Sequence, residues 1–164
     1  MIESDAVDKI LAQWQRERPD LDVSPMGIIG RMGRLAKHLE RAIQETFSEF
    51  SLTVGEFDVL AALRRSGQPY QLSPTELFNT LMVSSGTMTH RIDRLEQAEL
   101  VKRIPEPSDR RGTRIELTDK GFNIIEKAVE AHVINEHRVL SVLEASERKA
   151  LTQLLRKLLV SFEE

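Results

Sequence analysis

Between residues 73 and 121 the hydrophobic period switches from helical to strand-like and back, and few folds accommodate that order. Ser73-Pro74-Thr75-Glu76 joins an N-cap, a proline at the first helical position and a capping-box glutamate, which predicts a helix of about two turns. After Leu81-Met82-Val83 a second start falls at Ser84-Ser85 and leads into an apolar stripe of Met88, Ile92 and Leu95, with Thr87, His90, Arg94 and Gln97 turned away from it. Leu100 to Ile104 and Thr113 to Leu117 then read as short strands around Pro105-Glu-Pro107-Ser-Asp-Arg-Arg-Gly112, a turn-rich loop. Two short helices followed by a hairpin make a winged helix, whose second helix is the one that enters a DNA major groove.

The flanks are helical. Ser4 is a cap for Val7, Ile10, Leu11 and Trp14, and Pro19 ends that helix. Ser24-Pro25 opens a longer stripe of Ile28, Ile29, Met32, Leu35, Leu39, Ile43 and Phe47. Thr53-Val-Gly-Glu56 is a capping box for Phe57, Leu60, Ala61 and Leu63, closed by Gly67. Thr118 caps a long helix through Phe122, Ile125, Val129, Val133 and Leu140. A last helix starts near Ser146 and carries Leu151, Leu154, Leu155, Leu158, Leu159 and Phe162. That last stripe is too broad for a helix lying on a small domain, so the terminal helices are expected to form a dimer interface. The expected fold is mainly α with a small β-hairpin wing. Residues 1–50 are expected to hold N-terminal dimerisation helices and a wall of any ligand pocket, 51–120 the winged helix-turn-helix, and 121–164 the C-terminal dimerisation helices.

Composition removes several alternatives. The chain has 164 residues and no cysteine, which excludes disulfides, thiolate zinc sites and iron–sulfur clusters. Its longest uninterrupted apolar run, Val59 to Leu63, is far too short for a membrane span, and the acidic start at Glu3 and Asp5 is unlike a signal peptide, so a soluble, cytoplasmic protein is expected. A net charge of −3 argues against nucleic-acid binding by bulk charge. Lys102 to Arg114 nevertheless holds five basic residues against two acidic ones, a local excess at the wing.

Asp109-Arg-Arg-Gly-Thr-Arg-Ile-Glu-Leu-Thr-Asp-Lys-Gly121 resembles the wing and following helix cap of MarR-family transcriptional regulators. Ser85-Gly-Thr-Met-Thr-His-Arg-Ile-Asp-Arg-Leu95 is similar to the family's recognition helix, and Leu100-Val-Lys-Arg103 to its first wing strand. The resemblance spans nearly the whole chain. It implies a homodimer with interleaved terminal helices, two winged helices reading a palindromic operator in double-stranded DNA, repression of a neighbouring gene, and release by a small aromatic anion. Ser84, Ser85, Thr87, Thr89 and His90 stand where base edges are reached, and Arg94 is placed either for the DNA backbone or only for a salt bridge to Asp93, Glu96 or another helix. Arg110 or Arg111 is placed for the minor groove, while Asp109 either holds Arg111 in a wing salt bridge or simply forms the turn.

Two residues stand out from the pattern. Arg91 lies on the flank of the apolar stripe, where most family members carry an aliphatic side chain, and Trp14 sits in an N-terminal extension that many lack. Both resemble the urate-responsive, PecS-like branch of the family, which implies a pocket of Trp14, His38, Asp58, Arg91 and Arg103. Urate is a planar anion with amide-like edges, suited to an arginine fork and an aromatic face. The competing reading makes Asp58 and Arg91 a structural salt bridge, Arg103 a wing or phosphate contact, and Trp14 dimer core.

Other functions fit less well. His132 and His137 are five residues apart, about 140° around a helix, so they do not share a metal-binding face. No phosphate-binding glycine motif, G-x-S-x-G or His-Glu-x-x-His occurs, so an enzyme, a cofactor and a metal site are not expected. The remaining alternatives are a winged helix serving only protein–protein contact, and a regulator with a different effector.

Overall fold

The computed structural model describes residues 3–81, 83–106 and 109–163, with backbone alone for 109–111. The chain forms two compact units that part between Glu45 and Thr46.

In the first unit α1 (Ala6–Glu17) lies against the opening turns of α2 (Ser24–Ser48). Asp5, and not the expected Ser4, caps α1. Its carboxylate accepts from the Val7 and Asp8 amides at 2.7 and 3.0 Å, and the Asp8 carboxylate accepts from the Asp5 amide. A carboxylate serves this end better than a hydroxyl, since it satisfies two free amides and opposes the positive end of the helix dipole. Arg31 of α2 reaches both aspartates, at 2.8 Å to Asp5 and 2.6 Å to Asp8. Glycines on α2 let the helices close up: a Cβ on Gly27 would lie 3.3 Å from Leu11, and one on Gly30 3.5 Å from buried Val7. At the start of α2 the side-chain acceptor is Asp22, which takes the Ser24 amide at 3.0 Å, so the expected cap residue Ser24 is already helical.

The second unit holds α3 (Val54–Arg65), β1 (Gln71–Leu72), α4 (Pro74–Leu81), α5 (Ser85–Gln97), β2 (Val101–Glu106), β3 (Asp109–Leu117), α6 (Asp119–Val139), a 3₁₀ turn at Leu140–Val142, and α7 (Ala145–Glu163). The capping boxes at Thr53/Glu56 and Ser73/Glu76 form as expected. Leu60, Leu63, Leu77, Met88, Ile92, Leu95, Ile115 and Ile125 are all at most 2% exposed, so the core lies where α3, α4, α5 and α6 meet the sheet.

The three strands order as β1-β3-β2, antiparallel throughout. β1 was not expected, because two residues carry no period to read. The wing strands also run further into the loop than expected. Pro105 pairs opposite Thr113, with a register break before Glu106. β2 is an edge strand, where a proline without an N–H is tolerated.

The Thr118–Gly121 turn locks wing to α6. Thr118 Oγ1 accepts from the Gly121 amide and donates to the Glu99 carbonyl, while the Thr118 amide donates to the Leu100 carbonyl. A Cβ on Gly121 would stand 1.9 Å from that same Leu100 oxygen, so only glycine fits. α7 contributes no buried residue, and Leu154, Leu159 and Phe162 are 66, 56 and 80% exposed.

Candidate functional site

α5 presents its polar face to solvent. Ser84, Ser85, Thr87, Thr89 and His90 are exposed, while Met88, Ile92 and Leu95 point into the core. Ser84 has structural work as well: its Oγ accepts from the Thr87 amide as the helix cap and lies 2.9 Å from the Thr87 hydroxyl. The Thr89 hydroxyl donates to the Ser85 carbonyl one turn back, which fixes its rotamer. His90 is thus an exposed polar side chain at the front of the helix for which no local hydrogen bond is seen among the described residues.

The basic excess of the wing is largely neutralised by neighbours. Lys102 Nζ lies 2.7 Å from Glu116, and Arg114 reaches Glu106 at 2.8 Å and Glu76 at 3.8 Å. Arg103 bridges Asp93 and Glu96 of α5, and its amide donates to Glu96 at 3.1 Å. These carboxylates, Asp93 first, hold the Arg103 pKa above its ordinary value. The wing is thereby tied to the helix it follows. Arg110 and Arg111 remain as the wing's other cations. Their side chains, and the Asp109–Arg111 salt bridge with them, lie outside the described residues.

α3 grips α5 at two successive turns. Arg94, half exposed, places Nε 2.7 Å from Glu56 Oε1, while the buried Glu56 also accepts from the Thr53 amide and hydroxyl. One turn earlier Arg91 lays its guanidinium on Gly55: a Cβ there would fall 2.4 Å from Cζ and Nε. Arg91 Nη1 is buried and has no hydrogen-bond partner among the described residues. Asp58, half-buried on α3, has its pKa raised by desolvation, against which Arg91, Arg65 and His132 act. Asp58 and Arg91 are therefore electrostatically coupled, without a hydrogen bond at Nη1.

Of the expected ligand set, Arg91 acts electrostatically on Asp58, but no salt bridge joins the two among the described residues. Arg103 is instead engaged by the α5 carboxylates. Trp14 and His38 belong to the other compact unit, where Trp14 is 42% exposed on α1. His38 lines a recess of about 210 Å³ with Asp5, Arg31 and Arg34. His132, which the sequence offers only as a metal-ligand candidate, packs instead against Phe47 and Phe57. The available signal was its place four residues after Ala128 and seven after Ile125, on the buried face of α6. No helix among the described residues is long and apolar enough to cross a membrane.

The sequence profile of the MarR family matches residues 52–113, from the α3 cap to the wing. The chain is 47% identical to the HTH-type transcriptional regulator PecS of Dickeya dadantii, over 91% of this chain and 90% of that one. It is 32% identical to the multiple antibiotic resistance protein MarR of Escherichia coli, over 84% of this chain and 93% of the other. A crystal structure of an Escherichia coli MarR mutant complexed with operator DNA superposes with a TM-score of 0.70 at 29% identity, covering 95% of this chain and 99% of that one.

Proposed function

The chain belongs to the MarR family of DNA-binding transcriptional regulators, and on that footing we propose that it is a homodimeric repressor released from a palindromic operator by a small aromatic anion such as urate. The observation that carries the release step is Arg91: a cation on the recognition helix, seated on Gly55 within electrostatic reach of Asp58, with a buried nitrogen lacking an acceptor among the described residues. An anion that takes Arg91 satisfies that nitrogen and draws the guanidinium from Asp58. Since Arg91 rides on α5, the shift reaches the side chains that read DNA. Coupling between the two ligands then follows from their different preferences for the two α5 positions, with a typical size of about 1–3 kcal/mol.

The remaining roles follow the same frame. Thr87, Thr89, His90 and Ser85 read base edges, the amides at Ser84 take a phosphate, Arg94 contacts the backbone, and Arg110 or Arg111 enters the minor groove. Residues 51–120 act as the DNA-binding region. Residues 1–50 and 121–164 supply the dimer interface, a role supported by the unpartnered apolar faces of α2 and α7. A two-fold pair of recognition helices spans about 34 Å, one turn of DNA.

Footprinting on the gene's own upstream region, together with calorimetric titration by urate, xanthine and salicylate, tests this reading. It expects a two-fold symmetric footprint that urate erases and a saturable heat with at least one of the three anions. A folded dimer that gives no saturable response to any of them removes the effector.

A further inference from the structure

Between the two helices of the helix-turn-helix lies a mostly apolar recess that the roles given so far leave unused. Its volume is about 310 Å³, and it is walled by Pro74, Thr75 and Phe78 of α4 and by Ser85, Met88 and Thr89 of α5. Met88, 2% exposed, forms the floor, and the other five are exposed at the rim. Leu77 takes the core position on α4 and is fully buried, so Phe78, about 100° further round the helix, is held out of the core. An aromatic side chain, 38% exposed, is thereby left open beside the first turns of α5.

Thr89 lines this recess in a particular way. Its hydroxyl donates to the Ser85 carbonyl at 3.0 Å, and a hydroxyl has only one proton to give. Thr89 therefore has no hydrogen left for a base, and the methyl group is what sets it apart from serine here. Pro74 and Phe78 carry no side-chain donor or acceptor at all. Such a surface reads apolar contact and not a hydrogen-bonding pattern. In the major groove the apolar mark among the four bases is the C5-methyl of thymine. The front half of a recognition helix, where Ser85 and Thr89 stand, is the part that reaches base edges.

We propose that Phe78 and Thr89 form a thymine-reading recess, in which the C5-methyl of one thymine in each operator half-site packs against the Phe78 ring and the Thr89 methyl. This rests on the reading of α5 as the recognition helix. It adds a base identity, and it brings in a residue of α4, a helix otherwise given no base contact. Uracil differs from thymine by that methyl alone, so the two bases separate this contact from every hydrogen bond in the groove.

The test is anisotropy of the full-length protein on a duplex from the gene's own upstream region, with each thymine of the footprint replaced in turn by deoxyuridine. Wild type is expected to show one symmetry-related pair of thymines at which deoxyuridine weakens binding, about fourfold for one half-site and about fifteenfold for both. In Phe78→Ala and in Thr89→Ser that preference should fall about threefold or more, with affinity for the deoxyuridine duplex within about twofold of wild type. Thr89→Val keeps the methyl, loses the hydroxyl and should retain the preference. Circular dichroism checks folding, and the Ser/Val contrast at Thr89 decides the matter if Phe78→Ala does not fold. A wild type indifferent to every thymine methyl would overturn the proposal. So would equal weakening of both duplexes in Phe78→Ala and Thr89→Ser, which would make the recess a sugar–phosphate contact. A preference lost in Thr89→Val and kept in Thr89→Ser would assign the reading to the hydroxyl instead. Failure of the operator-binding reading is separately visible, because wild type would then bind neither the thymine nor the deoxyuridine duplex, and the proposal falls with it.

Discussion

Gly55→Ala is expected to silence the effector response while leaving fold and operator binding nearly intact. The added Cβ would stand 2.4 Å from Arg91 Cζ and Nε and 2.7 Å from Nη2. Non-bonded heavy atoms settle at about 3.5–4.0 Å, so the guanidinium must retreat by about an ångström or more. It can do so, because it is the far end of a flexible chain and no backbone atom is in the way. The rotamer adjustment costs about 1 kcal/mol, and alanine in place of glycine in a helix returns roughly 0.5–1 kcal/mol. The midpoint of thermal unfolding should therefore move by no more than about 4 °C. Operator affinity should stay within about threefold, since Met88, Ile92 and Leu95 and the Ser84 cap still hold α5 in place. A charge-assisted bond displaced from its acceptor loses about 1.5–3 kcal/mol, so release should need roughly tenfold to a hundredfold more urate. Fluorescence anisotropy of a labelled operator duplex, titrated with urate, reads both constants. Arg91→Ala in the Gly55→Ala background should add little if the two act through one contact. An unchanged urate midpoint in a folded Gly55→Ala protein would refute the role given to the Arg91 seat.

Gly121→Ala should behave in the opposite way, because its Cβ meets the Leu100 backbone oxygen at 1.9 Å and nothing flexible can yield. A loss of about 3 kcal/mol in a urea melt is expected, and a loss under 1 kcal/mol would contradict the tight joint between wing and α6. Asp58 has a pKa raised by burial above its ordinary 3.8, so the folded state binds its proton more tightly and stability from this group falls as pH rises through the raised value. Asp58→Asn should accordingly be more stable than wild type at neutral pH, with the gap closing below about pH 4 in thermal melts, and a gap that widens on acidification would reverse the sign. Arg103→Ala frees Asp93 and Glu96, costs about 1 kcal/mol or less, and should leave urate affinity within twofold by calorimetry, whereas a tenfold loss would return Arg103 to the pocket. His90→Ala should weaken operator binding by about 1–3 kcal/mol with little effect on unrelated duplex, and equal losses on both would make His90 a backbone contact.

Local grammar carried most of the architecture. The caps at Thr53, Ser73, Ser84 and Thr118 are decided within one turn, so the four helix starts of the winged unit could be read from neighbouring residues. The stripe Met88, Ile92, Leu95 likewise follows from helical spacing alone. What escaped depends on chain segments far apart in sequence. β1 exists only because β3 offers it an edge, with Gln71 opposite Glu116 and Leu72 opposite Ile115. Arg103, expected in a ligand pocket, is met by Asp93 and Glu96 only ten and seven residues away, but across the turn from α5 to β2, where neither a helical nor a strand period applies. His132 was hidden for the same reason. Its partners Phe47 and Phe57 lie on two other helices, and no sequence spacing connects them.

Under the proposed function, one protein surface binds operator DNA and yields it to an anion. Anisotropy of a labelled duplex from the gene's own upstream region, measured at several salt concentrations with and without urate, tests it most directly. Tight binding that falls steeply with salt, as phosphate contacts release counterions, and a urate titration that frees the duplex are the expected results. Binding that ignores urate, xanthine and salicylate alike would contradict the Arg91 switch, and the absence of salt-dependent binding to any selected duplex would contradict the operator-binding role itself.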